Sequence, residues 1–231
     1  MKIGIIGAME QEVVLLADSL KNKKEWHEAG VSFYSGNIGH HEVVVTQSGI
    51  GKVLAGLTAT LLISHYEVDC LINTGSAGGI GDGLSIGDVV ISEKLAYFDA
   101  DVTAFGYSYG QMPQMPLYYE ADKTLMSVAK EAASSNQLPV HSGLIVSGDT
   151  FVHSLEQINH IKEYFPEVVA NEMEGAAIAQ VAHQYQCPFV VIRAISDVGD
   201  ENASVNFDEF IIEAGKNSAA MVIDLMEHLK E

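Results

Sequence analysis

Short apolar runs rich in Val and Ile recur along the chain, at residues 2–7, 42–46, 70–74, 88–91, 143–147, 168–170 and 189–195. They lack polar alternation, which marks strands covered on both faces. Between them, residues 10–20, 53–66, 123–136, 155–164, 175–185 and 207–229 read as helices. In the second of these, Val53, Leu57 and Leu61 share a face with Leu54, Thr58 and Leu62 at spacings of three and four. The last opens at Asn206 with Glu209 three residues on, which predicts a capping-box start with Asn in place of Ser or Thr. This βα alternation predicts an α/β fold built on a largely parallel central sheet. With 231 residues, 48% of them apolar, the chain can bury a full core. No repeat, low-complexity tract or linker divides it, so one domain over residues 1–231 is expected.

Residues 97–119 break the pattern. They hold seven aromatic side chains together with Met112, Pro113, Met115 and Pro116, and follow neither helical nor strand period. Such a stretch is a surface excursion with aromatics tucked beneath it, an active-site wall, or a subunit interface.

Charge excludes two classes of partner. The chain has 12 Lys and Arg against 31 Asp and Glu, a net of -19, which repels a nucleic-acid backbone or an anionic membrane surface. The opening residues carry a short apolar run that Glu10 and Glu12 interrupt before a signal-peptide core can form, and no stretch has the length of a membrane span. A soluble cytoplasmic protein is expected. Cys70 and Cys187 sit in or beside apolar runs, where reduced thiols pack as small hydrophobes.

Several motifs fail on inspection. Gly49-Ile50-Gly51-Lys52-Val53-Leu54 follows a strand and opens a helix, but position 54 lacks the third glycine of a dinucleotide site. Val53 likewise stands where a P-loop needs Ser or Thr. Thr74-Gly75-Ser76-Ala77-Gly78-Gly79 lacks the first glycine of a nucleophile elbow. It reads better as a strand end where Gly75, Gly78 and Gly79 let backbone approach a ligand and Ser76 donates a hydrogen bond. His40-His41 lacks the spacing of a zinc pair, and no metal or cofactor site is expected.

What remains is a set of acids. Glu12, Glu174 and Asp197 each lie just past the C-terminal end of an expected strand, where open α/β sheets present their ligands. Taken singly, each reads equally as a solvated or helix-capping carboxylate; three strand ends sharing the feature make a site the stronger reading. Glu172 and Glu174 place like charges two residues apart, and Arg193 interrupts an apolar strand. An unpaired guanidinium there would cost several kcal/mol, so Arg193 needs a carboxylate or a bound anion. It is either a structural ion pair or the group that orients an acid or a water.

Seven segments together carry a family resemblance: Gly7-Ala8-Met9-Glu10-Gln11-Glu12, Ser48-Gly49-Ile50-Gly51-Lys52, Asn73 to Gly79, Asp99-Ala100-Asp101-Val102-Thr103-Ala104-Phe105-Gly106-Tyr107, Ser147-Gly148-Asp149, Glu172-Met173-Glu174 and Arg193-Ala194-Ile195-Ser196-Asp197. In order and spacing the chain resembles the bacterial 5'-methylthioadenosine/S-adenosylhomocysteine nucleosidases from Met1 to the last helix. The resemblance implies the nucleoside phosphorylase fold: three layers, α/β/α, with a twisted central mixed sheet flanked by helices, assembled as a homodimer.

It also implies roles. Asp197 would protonate or hydrogen-bond adenine N7, steadied by Ser196. Glu12 would hold the attacking water with Ser76 and Arg193, while Glu174, Met173 and Glu172 bind on the ribose side. Phe151 would stack on adenine and the Val152 backbone would read its edge. Met9, Ile50 and Phe207 would line the sugar and alkylthio pocket, and Gly78 would border the ligand. The loop bearing Val102, Phe105 and Pro113 would cover the 5' substituent in the neighbouring subunit. Phe98, Thr150 and Val152 depart from common family residues, in positions that bear on fine preference alone.

The chemistry so implied needs no cofactor. Adenine leaves poorly as an anion, so cleavage requires proton donation to the ring while positive charge builds on the sugar. A free Asp with pKa near ~3.9 is protonated about once in a thousand at pH 7, a deficit of roughly 4 kcal/mol that burial and N7 must offset. A water poised by a carboxylate on the far face completes displacement, as in inverting glycosidases. The expected partners are small-molecule adenine nucleoside thioethers and a second copy of the chain. Two other readings stay open: a phosphorylase of the same fold, for which the acidic first loop is unsuited, and a nucleoside-binding protein without turnover.

Overall fold

β10 (Phe189–Asp197) is buried along all nine of its residues, and the architecture is organised around it. In the computed structural model, which describes residues 1–198 and 203–229, the chain runs β1 (Lys2–Gly7), α1 (Glu10–Ser19), β2 (Lys21–Glu28), β3 (Val31–Ile38), β4 (His41–Gln47), α2 (Lys52–Ser64), β5 (Cys70–Gly79) and β6 (Val89–Tyr97). A single turn of 3-10 helix at Thr103–Phe105 follows, then β7 (Tyr119–Glu120), α3 (Lys123–Ser135), β8 (Val140–Ser147), α4 (Leu155–Tyr164), β9 (Val168–Glu172), α5 (Gly175–Tyr185), β10 and α6 (Ala203–His228).

The strands join in the order β10-β6-β8-β9-β5-β1-β4-β3-β2, and β10 also pairs with β5. Five strands (β5, β10, β6, β8 and β9) therefore close into a ring, and β1, β4, β3 and β2 extend from it as an open wing. Parallel and antiparallel pairings are equal in number. The sheet is thus mixed, as the resemblance implied, and not largely parallel as the βα alternation suggested. Helices α2 and α5 pack one face, around Ala59, Leu62, Ile178 and Ala182. Helices α1, α3 and α6 pack the other, around Leu16, Leu125, Met221 and Val222. The α/β/α layering follows.

Sequence pattern located most of these elements, and the exceptions have physical causes. No strand was expected between residues 20 and 42, yet β2 and β3 form an antiparallel hairpin. β2 is an edge strand that exposes nearly every residue, so it carries no apolar run. Its turn at Ala29-Gly30 places both residues at positive φ, 51° and 78°, the conformation favoured by tight hairpins. Asn206 does not start α6; the helix already runs from Ala203. Cys70 is buried, but Cys187 is only partly so, and both are free thiols. Among the described residues no helix is long and apolar enough to cross a membrane.

Candidate active site

The predicted acids come together. A cavity of about 300 Å³ opens at the C-terminal ends of β1, β5, β9 and β10, with Glu12, Glu174 and Asp197 on its wall. All three are buried, at 2%, 5% and 2% exposure. Among the described residues that line it, every titratable group is a carboxylate, the fourth being Glu172.

Glu12 enters from the first turn of α1. Its Oε2 accepts the backbone N–H groups of Ala8 (2.7 Å) and Met9 (3.1 Å), capping the helix from within. Its Oε1 accepts the N–H of Ser76 at 3.0 Å and the Ser76 hydroxyl at 3.2 Å. Four donors from two elements thus hold the carboxylate in one orientation. Such closeness requires glycine at position 75, because a Cβ there would lie 2.6 Å from Glu12 Oε1 and against Arg193 Nη1.

Asp197 ends β10. The register of β10 against β5 shifts between Ile195 and Asp197, a bulge that leaves Ser196 unpaired. Strict alternation would send Ser196 and Asp197 to opposite faces; the bulge lets both reach the cavity. Ser196 Oγ donates to Asp197 Oδ2 at 3.0 Å. A Cβ at Gly78 would stand 3.1 Å from Asp197 Oδ1, so β5 supplies backbone closely to this acid as well. Gly75 and Gly78, which lie against the two carboxylates, are three residues apart along β5.

Behind this wall lies an ion-pair network. Arg193, fully buried, donates to Glu172 Oε2 and, at 2.6 Å, to Asn73 Oδ1, and it stands 3.6 Å from Glu174 Oε2. Burial alone would lower the pKa of Arg193; Glu172, Glu174 and Glu12 more than offset this, and it rises. Glu172 also accepts the N–H groups of Glu174 (3.0 Å) and Gly175 (2.7 Å) and the Ser147 hydroxyl. Glu172 thereby caps α5, although Glu174 occupies the cap position, and Glu174 turns into the cavity where Gly51 N–H meets its Oε1 at 2.9 Å. Burial, with Glu172 adding to it, raises the Glu174 pKa to about 7 against the opposing pull of Arg193. Arg193 is thus a buried ion pair with Glu172 that also stands beside a cavity acid, Glu174.

The remaining predicted residues divide cleanly. Met9, Ile50, Ser76, Gly78, Phe151, Val152, Met173 and Phe207 also line the cavity. Phe151 and Phe207 meet edge to face, centroids 5.7 Å apart, at its mouth. Arg193 stands behind the wall, and Val102, Phe105 and Pro113 lie away from the cavity of their own chain, Phe105 with 80% of its surface exposed. Sequence reasoning overlooked Ala8, Ala77, Thr150 and Asn171 as lining residues. The alanines carry no chemical signal; Asn171, one residue before Glu172 at the end of β9, could have been found by the strand-end rule that found the acids. Lys52 binds no phosphate loop: its ammonium pairs with Asp99 (2.7 Å) and lies 3.8 Å from Asp149, joining three of the recognised segments beside the mouth.

A strand ring with an acid-walled cleft at its strand ends defines a member of the phosphorylase superfamily, whose sequence model matches residues 2–227. The 5'-methylthioadenosine/S-adenosylhomocysteine nucleosidase of Shewanella sediminis is 50% identical over 230 residues, covering 99% of this chain and 100% of that protein. The Neisseria meningitidis nucleosidase, solved with methylthio-immucillin-A, superposes with a TM-score of 0.97 at 49% identity, covering 99% of each chain. The Streptococcus pneumoniae nucleosidase, solved with the transition-state inhibitor MT-ImmA, gives 0.96 at 51% identity, covering 100% of each. The chain belongs to the 5'-methylthioadenosine/S-adenosylhomocysteine nucleosidase family.

Proposed function

We propose that the chain, acting as one domain, hydrolyses the N-glycosidic bond of 5'-methylthioadenosine and S-adenosylhomocysteine, releasing adenine and the 5'-thio-substituted ribose. The observation that carries hydrolysis, as opposed to phosphorolysis, is the wall itself: its described titratable groups are all acids, Arg193 behind it is committed to Glu172, Glu174 and Asn73, and Lys52 beside the mouth is paired with Asp99. A phosphate would meet like charge, with the nearby cations already paired to carboxylates, whereas a developing oxocarbenium ion is stabilised there.

In this reading Asp197, steadied by Ser196, delivers a proton to adenine N7 while Phe151 stacks on the ring and the Val152 backbone reads its edge. Glu12 and Ser76 hold the water on the other side of the sugar. The two acids meet β5 at different positions, Glu12 at Gly75 and Asp197 at Gly78, and ribose and water lie between them. Glu174 and Met173 receive the ribose hydroxyls, Glu172 and Arg193 hold Glu174 in place from behind, and Gly78 borders the ligand. Met9, Ile50 and Phe207 enclose the 5' side.

Assembly as a homodimer is part of the proposal. Val53 is 81% exposed, Phe105 80%, and Leu57 and Met112 are exposed beside them, an apolar surface of the kind that marks an interface. Paired through it, one copy's Val102, Phe105 and Pro113 cover the 5' substituent in the other copy's cavity. Two free cysteines, with pKa values pushed up by burial to about 12 and about 11, fit a reducing cytoplasm. Adenine release from methylthioadenosine in phosphate-free buffer tests the reaction: full rate is expected, and a requirement for phosphate would overturn it.

A further inference from the structure

Helix α6 meets the Glu12 carboxylate's supports at two points that the mechanism above does not use. Ser218, fully buried, accepts the backbone N–H of Gly75 at 3.0 Å and is hydrogen-bonded to the Thr74 hydroxyl. The next residue along β5 is Ser76, which holds Glu12 Oε1 through both its N–H and its hydroxyl. Gly215 lies three residues earlier, on the same helical face. A Cβ there would come within 2.5 Å of the Gln11 carbonyl oxygen and 3.6 Å of Glu12 Cα. One face of α6 therefore bears on the backbone beneath Glu12 and on the strand that anchors its far oxygen.

We infer that Ser218 and Gly215 are positioning residues for the Glu12 carboxylate, fixing the distance between the α1 turn and β5 across which that carboxylate is strung. This rests on the role proposed for Glu12. The physical reason is that Glu12 is bonded to two separate elements: Oε2 to the β1–α1 turn and Oε1 to β5. Neither set of bonds fixes where the other element lies. The hydroxyl of Ser218, fully buried, ties β5 to α6, and the bare Cα of Gly215 lets α1 settle against the same helix. A carboxylate that must point a water at one carbon is sensitive to shifts of well under an ångström, and misplacement by 1 Å can cost about a hundredfold in rate.

The test is Ser218→Ala, measured by steady-state adenine release and by thermal unfolding, alone and in a Ser76→Ala background. The expected result is a loss of about tenfold in kcat with KM within about twofold of the parent, because binding is left while orientation is lost. In the Ser76→Ala background, which removes the hydroxyl bond to Oε1 and leaves the N–H bond, the same substitution should cost less than it does alone, since part of the link it acts through is already cut. Additive losses, or a parent-like kcat in Ser218→Ala, overturn the inference. Gly215→Ala, which pushes on the Glu12 backbone instead, should show the same fall in kcat at constant KM; it decides the matter should Ser218→Ala fail to fold, and a parent-like kcat there is likewise fatal. Glu12→Gln run in parallel separates the two levels: if it turns over like the parent, the role of Glu12 has failed; if it is inactive while Ser218→Ala and Gly215→Ala are normal, only the positioning role has.

Discussion

The cleft at the strand ends holds about 300 Å³ and hides four carboxylates, whereas the groove between α2, α5 and the loop after β6 holds about 590 Å³ and shows Val53, Leu57 and Met112 to solvent. Both borrow from the segment around Ile50 and Lys52, so they are neighbours in the chain and in space. They differ in how polarity is handled. In the cleft, donors aimed from the backbone of the β1–α1 turn, β5 and the start of α5 make burial of acids tolerable. In the groove, apolar side chains are left facing water, which is stable only as a surface awaiting cover. Volume alone would have passed over the cleft; chemistry chooses it.

The comparison breaks most severely if the acids can be neutralised without effect. Asp197→Asn keeps shape and removes the transferable proton; kcat for adenine release should fall roughly a thousandfold while the melting temperature stays close to the parent's. Near-normal turnover would remove Asp197 from its role. Glu12→Gln should lower kcat by on the order of a hundredfold while calorimetry still detects binding of a nucleoside analogue, and unchanged kcat would refute water positioning.

A third measurement sharpens what burial does to the cleft. Glu174, with its pKa raised from 4.5 to about 7, binds its proton more tightly folded than unfolded. Its contribution to stability is therefore full below about pH 4.5 and is lost as pH rises towards 7. The ligand-free protein should lose up to about 3 kcal/mol of stability across that window through this group, and Glu174→Gln should flatten the slope. A slope unchanged in the variant would assign it elsewhere. The smallest effect belongs to the groove. Replacing Val53 and Leu57 together with Glu should convert a dimer to a monomer in analytical ultracentrifugation and cost about tenfold in activity, as one surface contact energy is lost. A variant that remains dimeric would place the interface on another face.

Much of the site was legible because strand-end acids advertise themselves. Glu12, Glu174 and Asp197 interrupt or terminate apolar runs, and the resemblance supplied Phe151, Met173 and Phe207 by position. The hairpin of β2 and β3 was not legible, since an edge strand needs no apolar face. Ser218 was not either, because a hydroxyl has no preferred sequence surroundings; its partner decides its meaning. The ring closure, with β10 pairing both β5 and β6, likewise leaves no trace in local pattern.

By itself the sequence determined the βα rhythm, the acids at the strand ends and the net negative charge, for these follow from local period and summed charge. Only the tertiary structure decided that Glu172 serves Arg193 and the start of α5, that a bulge turns Ser196 and Asp197 to the same side, and that α6 reaches back to brace the strand beside Glu12. Each depends on which atoms from distant parts of the chain come within bonding distance, and hydrogen bonds and ion pairs lose their force within a few ångströms.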